Sequence, residues 1–159
     1  MKKAILVVDD DRQIRESLGK LLSAENYEVA LAADGQEGID IFDTRAIDLL
    51  LLDLSLPGNG GWEVFGVITD SNPCLPIIII TGRENQRDLA KLAGVGALME
   101  KPLNLPVLLE TIRKLIAEEP ETHLKRLVGL RSDLRYVPPA AALTERGYHS
   151  TPPPQHFRR

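Results

Sequence analysis

The chain has 159 residues, 43% of them hydrophobic and 26% charged, with a net charge of −4, a balance ordinary for one globular domain with a proper core and some chain left over. The charge is uneven: residues 1–119 hold twelve basic against twenty acidic side chains, a net −8, and residues 120–159 hold seven against three, a net +4. An acidic body argues against nucleic-acid binding by the globular part, while the basic tail leaves weak anion binding open.

Cys74 is the one cysteine, so an internal disulfide is excluded and no oxidising compartment is required. The start, Met1-Lys2-Lys3 and then Ala4–Val8, is too short a signal sequence and ends at Asp9-Asp10-Asp11 without a cleavage site. No run approaches the roughly 20 apolar residues of a membrane span. The expectation is a cytoplasmic location.

Three short apolar runs, Ala4–Val8, Leu49–Leu52 and Ile77–Ile80, are each bounded by turn or acidic residues. Continuous rather than alternating hydrophobicity predicts strands buried on both faces, as in a parallel sheet. Tyr27–Ala32 and Ala97–Met99 are two further strand candidates. Between them lie helical patterns. Ile14, Leu18, Leu21 and Leu22 share a face over about residues 11–25. Ile39, Ile41 and Phe42 mark a second helix, and Val64, Phe65 and Ile68 a third over Trp62–Asp70. A fourth, weakly apolar helix spans Asn85–Ala93. The clearest period is Leu105, Leu108, Leu109, Ile112, Leu115 and Ile116, with Asn104 as N-cap and Pro106 in the first turn. Five strand–helix units in about 118 residues imply a parallel sheet covered on both faces by right-handed crossovers.

After Glu119 the character changes. Thr122–Tyr136 could form one more short helix through Leu124, Leu127, Val128 and Leu134, with Gly129 and Arg131 against it. From Pro138 the prolines and scarce large apolar residues predict an extended or disordered tail. The expected division is a globular domain over 1–119 and a C-terminal extension over 120–159. His123, His149 and His156 all fall in the extension, too widely spaced for a convincing metal site.

In a doubly wound parallel sheet, ligands bind beyond the carboxyl ends of the strands. The first strand there delivers Asp9 and Asp10, the third Asp53, the fourth Thr81 and the fifth Lys101. Three converging carboxylates repel unless a positive charge sits among them. A hard divalent cation with oxygen ligands, Mg²⁺ before others, answers that need and leaves room for a phosphate oxygen. A carboxylate can attack phosphorus, and phosphoryl transfer asks mainly for in-line positioning and charge neutralisation. Singly, each residue has a blander reading: Asp11, and Asp9 or Asp10, as helix caps, Thr81 as a turn residue, Lys101 as a solvated lysine. Their order at successive strand ends makes coincidence improbable.

Val7-Val8-Asp9-Asp10, Leu52-Asp53-Leu54-Ser55-Leu56-Pro57-Gly58, Ile80-Thr81-Gly82 and Lys101-Pro102 resemble the receiver domains of two-component response regulators, over about residues 3–118. The resemblance implies a flavodoxin-like α/β fold, five parallel strands in the order 2-1-3-4-5 with five helices. It implies that Asp53 accepts the phosphoryl group, that Asp10 ligates Mg²⁺ directly and Asp9 through water, and that Ser55 offers its backbone carbonyl. Thr81 and Lys101 contact the phosphoryl group, and Lys101-Pro102 is a cis peptide. The implied partners are a sensor histidine kinase or histidine phosphotransfer protein and a downstream protein; with only 40 residues after Glu119, the expectation is a single-domain regulator without a DNA-binding domain, and no membrane is involved. On this reading the chain is no enzyme beyond its own phosphorylation and dephosphorylation. Its alternative is a receiver-like interaction module that no longer cycles.

One position departs from the family. Members that switch through coupled threonine and aromatic motion carry Tyr or Phe three residues before the lysine, where this chain has Leu98. Transmission then falls to loop and helix movement, or to an unconventional output surface. If the tail is a solvated appendage, deleting residues 138–159 leaves the rate of Asp53 phosphorylation by a small phosphodonor unchanged; a large change by intact-mass kinetics shows contact with the active edge.

Overall fold

The computed structural model describes residues 1–58, 60–140 and 142. In chain order they form β1 (Ala4–Val8), α1 (Arg12–Ala24), β2 (Glu28–Ala32), α2 (Gly35–Thr44), β3 (Leu49–Asp53), α3 (Gly61–Ser71), β4 (Ile77–Thr81), α4 (Arg87–Ala93), β5 (Ala97–Glu100), α5 (Leu105–Ala117), α6 (Pro120–Leu127) and β6 (Arg135–Val137). The sheet runs β2-β1-β3-β4-β5-β6 with every pairing parallel. The expected order 2-1-3-4-5 holds, with a sixth strand added beyond β5.

Both faces of the sheet are buried, which is why the strands read as unbroken apolar runs. Leu6, Val8, Leu50, Leu52, Ile77 and Ile79 pack on one face with Val64, Phe65 and Ile68 of α3 and Ala90 of α4. Ile5, Val7, Leu49, Leu51, Ile78 and Ile80 pack on the other with Leu18 and Leu22 of α1 and Leu108, Ile112 and Leu115 of α5. Asp11 caps α1, accepting from the backbone of Gln13 and Ile14, and Asn104 caps α5, accepting from Val107. The bland reading of Asp11 as a cap is therefore its structural role.

The helix expected over 122–136 is corrected by the structure. Helix α6 starts earlier, at Pro120, and ends at Leu127; Gly129 then takes φ +78°, a left-handed conformation that turns the chain back. Residues 135–137 become a strand instead, Ala97, Leu98 and Met99 pairing with Arg135, Tyr136 and Val137. The unpaired backbone edge of β5 gives this short segment hydrogen-bond partners that a solvated last helical turn lacks. Residues 135–137 thus extend the sheet, and α6 with its connection leads the chain to that edge. The extended tail expected from Pro138 falls, apart from 138–140 and 142, outside the described residues, as do His149 and His156.

A polar clamp holds this extension. The Arg126 side chain, 4% exposed, donates two hydrogen bonds of 2.7 Å to the Glu118 carboxylate and a third of 2.9 Å to Asp133. His123 is buried beside it, its Nε2 3.1 Å from the Leu115 carbonyl and its Nδ1 3.2 Å from Arg126 Nη1. Burial pushes the His123 pKa down, which suits a neutral ring that donates from Nε2 and accepts at Nδ1. Arg126 therefore ties the α5–α6 junction, α6 and the approach to β6 together. Arg126→Ala leaves Glu118 and Asp133 without their buried cation and is expected to lower unfolding free energy by roughly 2–3 kcal/mol, read from urea denaturation. An unchanged midpoint rules the clamp out as a support.

Candidate functional site

Parallel pairing puts all the strand ends on one edge. Asp53 is level with Ile80 on β4, and Thr81 with Glu100 on β5. Asp9 follows β1 directly and Lys101 follows β5. Asp9, Asp53 and Thr81 are buried, at 0%, 1% and 0% exposure, whereas Asp10 is exposed. The structure brings together the carboxylates of Asp9, Asp10 and Asp53, with one oxygen of each within 4.8 Å of the others.

Lys101 reaches into the group. Its Nζ lies 3.0 Å from Asp53 Oδ2 and 2.9 Å from Asp9 Oδ2, with the side chain 19% exposed. Backbone donors hold the carboxylates from behind: Ser55 N–H donates to Asp53 Oδ1 at 2.9 Å and Asp11 N–H to Asp9 Oδ1 at 2.8 Å. Arg15 donates to the Asp9 carbonyl at 2.8 Å. Burial raises the Asp9 pKa, only partly opposed by the Lys101 ammonium and the hydrogen bond from the Asp11 N–H. For Lys101, burial favours the neutral amine, but the Asp9 and Asp53 carboxylates beside it outweigh that and push the pKa up, so the ammonium is locked in place. Its share of stability is fully present below the ordinary lysine range and is lost only as pH rises above it.

One ammonium faces three carboxylates. Asp9 Oδ2, although at ion-pair distance from Lys101, is buried without a hydrogen bond of good geometry. A buried carboxylate oxygen with spare capacity, beside an exposed carboxylate and a third at the end of β3, is the donor set a hard divalent cation takes. Asp9, Asp10 and Asp53 fit such an ion. Ser55 stands two residues beyond Asp53, its N–H on that carboxylate.

The loops around the site are fixed by close packing. A Cβ at Gly61 would collide with the Asp53 carbonyl and Leu54 Cα, so only glycine lets the start of α3 lie against the end of β3. Lys101 N–H donates to the Thr81 carbonyl at 2.8 Å, and Lys101-Pro102 is cis. Thr81 Oγ1 accepts from the Arg83 N–H at 2.9 Å, and Arg83 Nε donates to Ser55 Oγ at 3.1 Å. Arg83 escaped the sequence reading; the signal was its place two residues past the end of β4, opposite Ser55 two residues past the end of β3. Leu98 is a fully buried core leucine, and its partner across the sheet is the aromatic Tyr136 of β6.

Removing the ammonium by Lys101→Met leaves Asp9 and Asp53 buried without a cation. In the presence of a chelator the variant is expected to lose roughly 2–4 kcal/mol of stability. Adding Asp53→Asn should recover part of the loss, because the pair is coupled. Additive losses in thermal unfolding contradict this coupling.

The sequence and fold place the chain among known proteins. A family model for the response regulator receiver domain matches residues 5–113. Response regulator MprA of Mycobacterium avium (strain 104) is 36% identical over 143 residues, 88% of this chain and 63% of the relative; that of Mycolicibacterium vanbaalenii is 38% identical over 118 residues, 73% of this chain and 51% of the relative. The chain therefore spans about half to two thirds of the length of these curated relatives. A CheY-like receiver domain structure from Methanospirillum hungatei JF-1 aligns with a TM-score of 0.69 and 33% identity, covering 73% of this chain and 94% of that one. Response regulator protein TrrA of Thermotoga maritima, solved in complex with Mg(2+)-BeF, aligns with a TM-score of 0.66 and 35% identity, over 71% of this chain and 98% of that one. With the acidic edge, the parallel sheet order and the family match in agreement, the chain belongs to the response regulator receiver domain family.

Proposed function

We propose that the chain is a Mg²⁺-dependent phosphoacceptor, taking a phosphoryl group onto Asp53 from a histidine kinase or histidine phosphotransfer protein and signalling through protein–protein contact. The observation that carries this reading is the Lys101 ammonium bridging Asp53 and Asp9 at the carboxyl edge. That geometry holds the Asp53 carboxylate in one orientation and keeps a cation where charge builds on the transferred group.

Asp53 supplies the nucleophile. A carboxylate oxygen attacks phosphorus of a phosphohistidine, the new P–O bond forms, the P–N bond breaks and its electron pair returns to the imidazole. Lys101 then exchanges its bond to Asp53 for one to a phosphoryl oxygen, and the Thr81 hydroxyl donates to another. Asp9, Asp10, Asp53 and the Ser55 carbonyl are the groups that would hold Mg²⁺, which when bound neutralises phosphoryl oxygens and offsets repulsion among the carboxylates. The Mg(2+)-BeF complex of the Thermotoga relative supports the choice of ion. Hydrolysis of the aspartyl phosphate returns the carboxylate and closes the cycle.

Incubation with Mg²⁺ and a small phosphodonor such as phosphoramidate is expected to add one phosphoryl mass. Asp53→Asn should abolish the gain, chelation should suppress it, and Lys101→Met should slow it by at least ten- to a hundredfold, the scale of losing one electrostatic stabiliser. A chain that gains no mass with any donor, or gains it equally in Asp53→Asn, is not this phosphoacceptor.

A further inference from the structure

Residues 120–137 do more than lengthen the sheet, because they touch α4 at both of its ends. At the start of α4 the Arg87 guanidinium sits 4.8 Å over the Tyr136 ring, a cation–π distance. At its end, Gly94 (φ +76°) lies so close to the Arg126 carbonyl and Leu127 Cα that a Cβ would not fit. Helix α4 itself is weakly held: seven residues long, it has no side-chain N-cap and buries only Ala90, while Leu89 and Leu92 are 48% and 83% exposed.

Tyr136 occupies a particular place in this arrangement. Its hydroxyl donates to Glu100 at 2.9 Å, one residue before Lys101. Its ring lies under Arg87, the residue that ends the loop carrying Thr81 and Arg83 into α4. One side chain therefore bridges the end of β5, just before Lys101, and the segment that leads on from Thr81 into α4. Any rearrangement that pulls Thr81 and Lys101 toward the site moves the contacts of Tyr136 with Glu100 and Arg87.

We infer that the α6–β6 extension is a strap whose grip on β5 and α4 is coupled through Tyr136 to the phosphorylation state of Asp53, and that phosphorylation loosens β6. The inference rests on Asp53 being the phosphoacceptor. A phosphoryl group brings roughly −1.5 to −2 charge and draws the Thr81 hydroxyl toward it as a donor, carrying along the Arg83 N–H that now donates to the hydroxyl oxygen. The 82–87 segment then shifts, Arg87 leaves the Tyr136 ring, and the three-residue β6 loses one of its anchors. The clamp of Arg126 with Glu118 and Asp133 keeps α6 and the turn before β6 attached, so that the loosening is confined to β6 itself. The signal thereby reaches the chain that follows residue 137 as well as α4.

Hydrogen exchange on the full chain tests this, with phosphorylation followed separately by intact mass. On gain of one phosphoryl group, amides of 133–137 and their β5 partners at 97–100 are expected to exchange about five- to tenfold faster, the scale of a modest coupling between sites, with β1 unchanged. Arg87→Ala, at an exposed position, should show the faster exchange before phosphorylation and little further change after it. By reciprocity it should also bind Mg²⁺ with beryllofluoride several-fold more tightly. Tyr136→Phe, which keeps the ring, should fall between. Mass gain with unchanged or slower exchange at 133–137 overturns the strap while leaving the phosphoacceptor intact. Mass gain with a full response in Arg87→Ala overturns the role of the Arg87–Tyr136 contact. Failure to gain mass overturns both readings.

Discussion

Lys101 bridging two buried carboxylates is the contact on which the rest of the arrangement depends. Asp9 and Asp53 are almost wholly withdrawn from water, and an ionised carboxylate in that position costs several kcal/mol unless it is paired. One ammonium at 2.9 and 3.0 Å and backbone donors to the remaining oxygens meet part of that cost. The strands meet the rest. Leu49–Leu52 are fully buried, each contributing roughly 1.5–3 kcal/mol as an upper estimate, so β3 can end on a charge and stay in place. The carboxylates still outnumber the ammonium, and that deficit makes the edge receptive to a cation and to phosphoryl oxygens accompanied by one.

The two ends of the sheet divide the work. At the carboxyl edge the loops are short, carry the reactive groups and are pinned by backbone contacts such as Gly61 against Asp53 and Lys101 N–H to the Thr81 carbonyl. Near the opposite edge, Arg126, Glu118, Asp133 and His123 form a closed polar cluster with no reacting group in it. With Arg131 on Asp133 its two carboxylates meet two guanidinium groups and its hydrogen bonds are made, the condition under which buried polar residues rigidify a fold. Between the two lies α4, a seven-residue helix that buries only Ala90, touched by Tyr136 at one end and packed on α6 at the other. The extension thus meets a short, sparsely buried helix at both of its ends.

The position of Leu98 takes on meaning in the same light. It is packed at 0% exposure inside β5, and the aromatic ring beside it belongs to the neighbouring strand, three residues long and thirty-eight positions further along the chain. Tyr136 meets Glu100 and Arg87 from outside the edge, where a ring on β5 itself would be rooted in the strand. The loop from Thr81 and the end of β5 therefore have a common aromatic contact despite the leucine.

By itself the sequence determined the strand–helix alternation, the parallel sheet and the candidate residues Asp9, Asp10, Asp53, Thr81 and Lys101. Each is a local property: an apolar run buried on both faces needs no partner to be recognised, and a polar residue at its carboxyl end must emerge at the edge where such sheets bind ligands. Tertiary structure alone decided what joins residues far apart. The strand Arg135–Val137 exists because the β5 edge was open, and Arg131, Gly129 and Leu134 carry no period-two pattern that announces it. Arg83 meets Ser55, and His123 and Arg126 meet Leu115 and Glu118, through pairings that depend on strand register and on where α6 comes to rest. Local pattern encodes which face of an element is buried; which edge remains to be covered, and by what, is settled only when the whole sheet has formed.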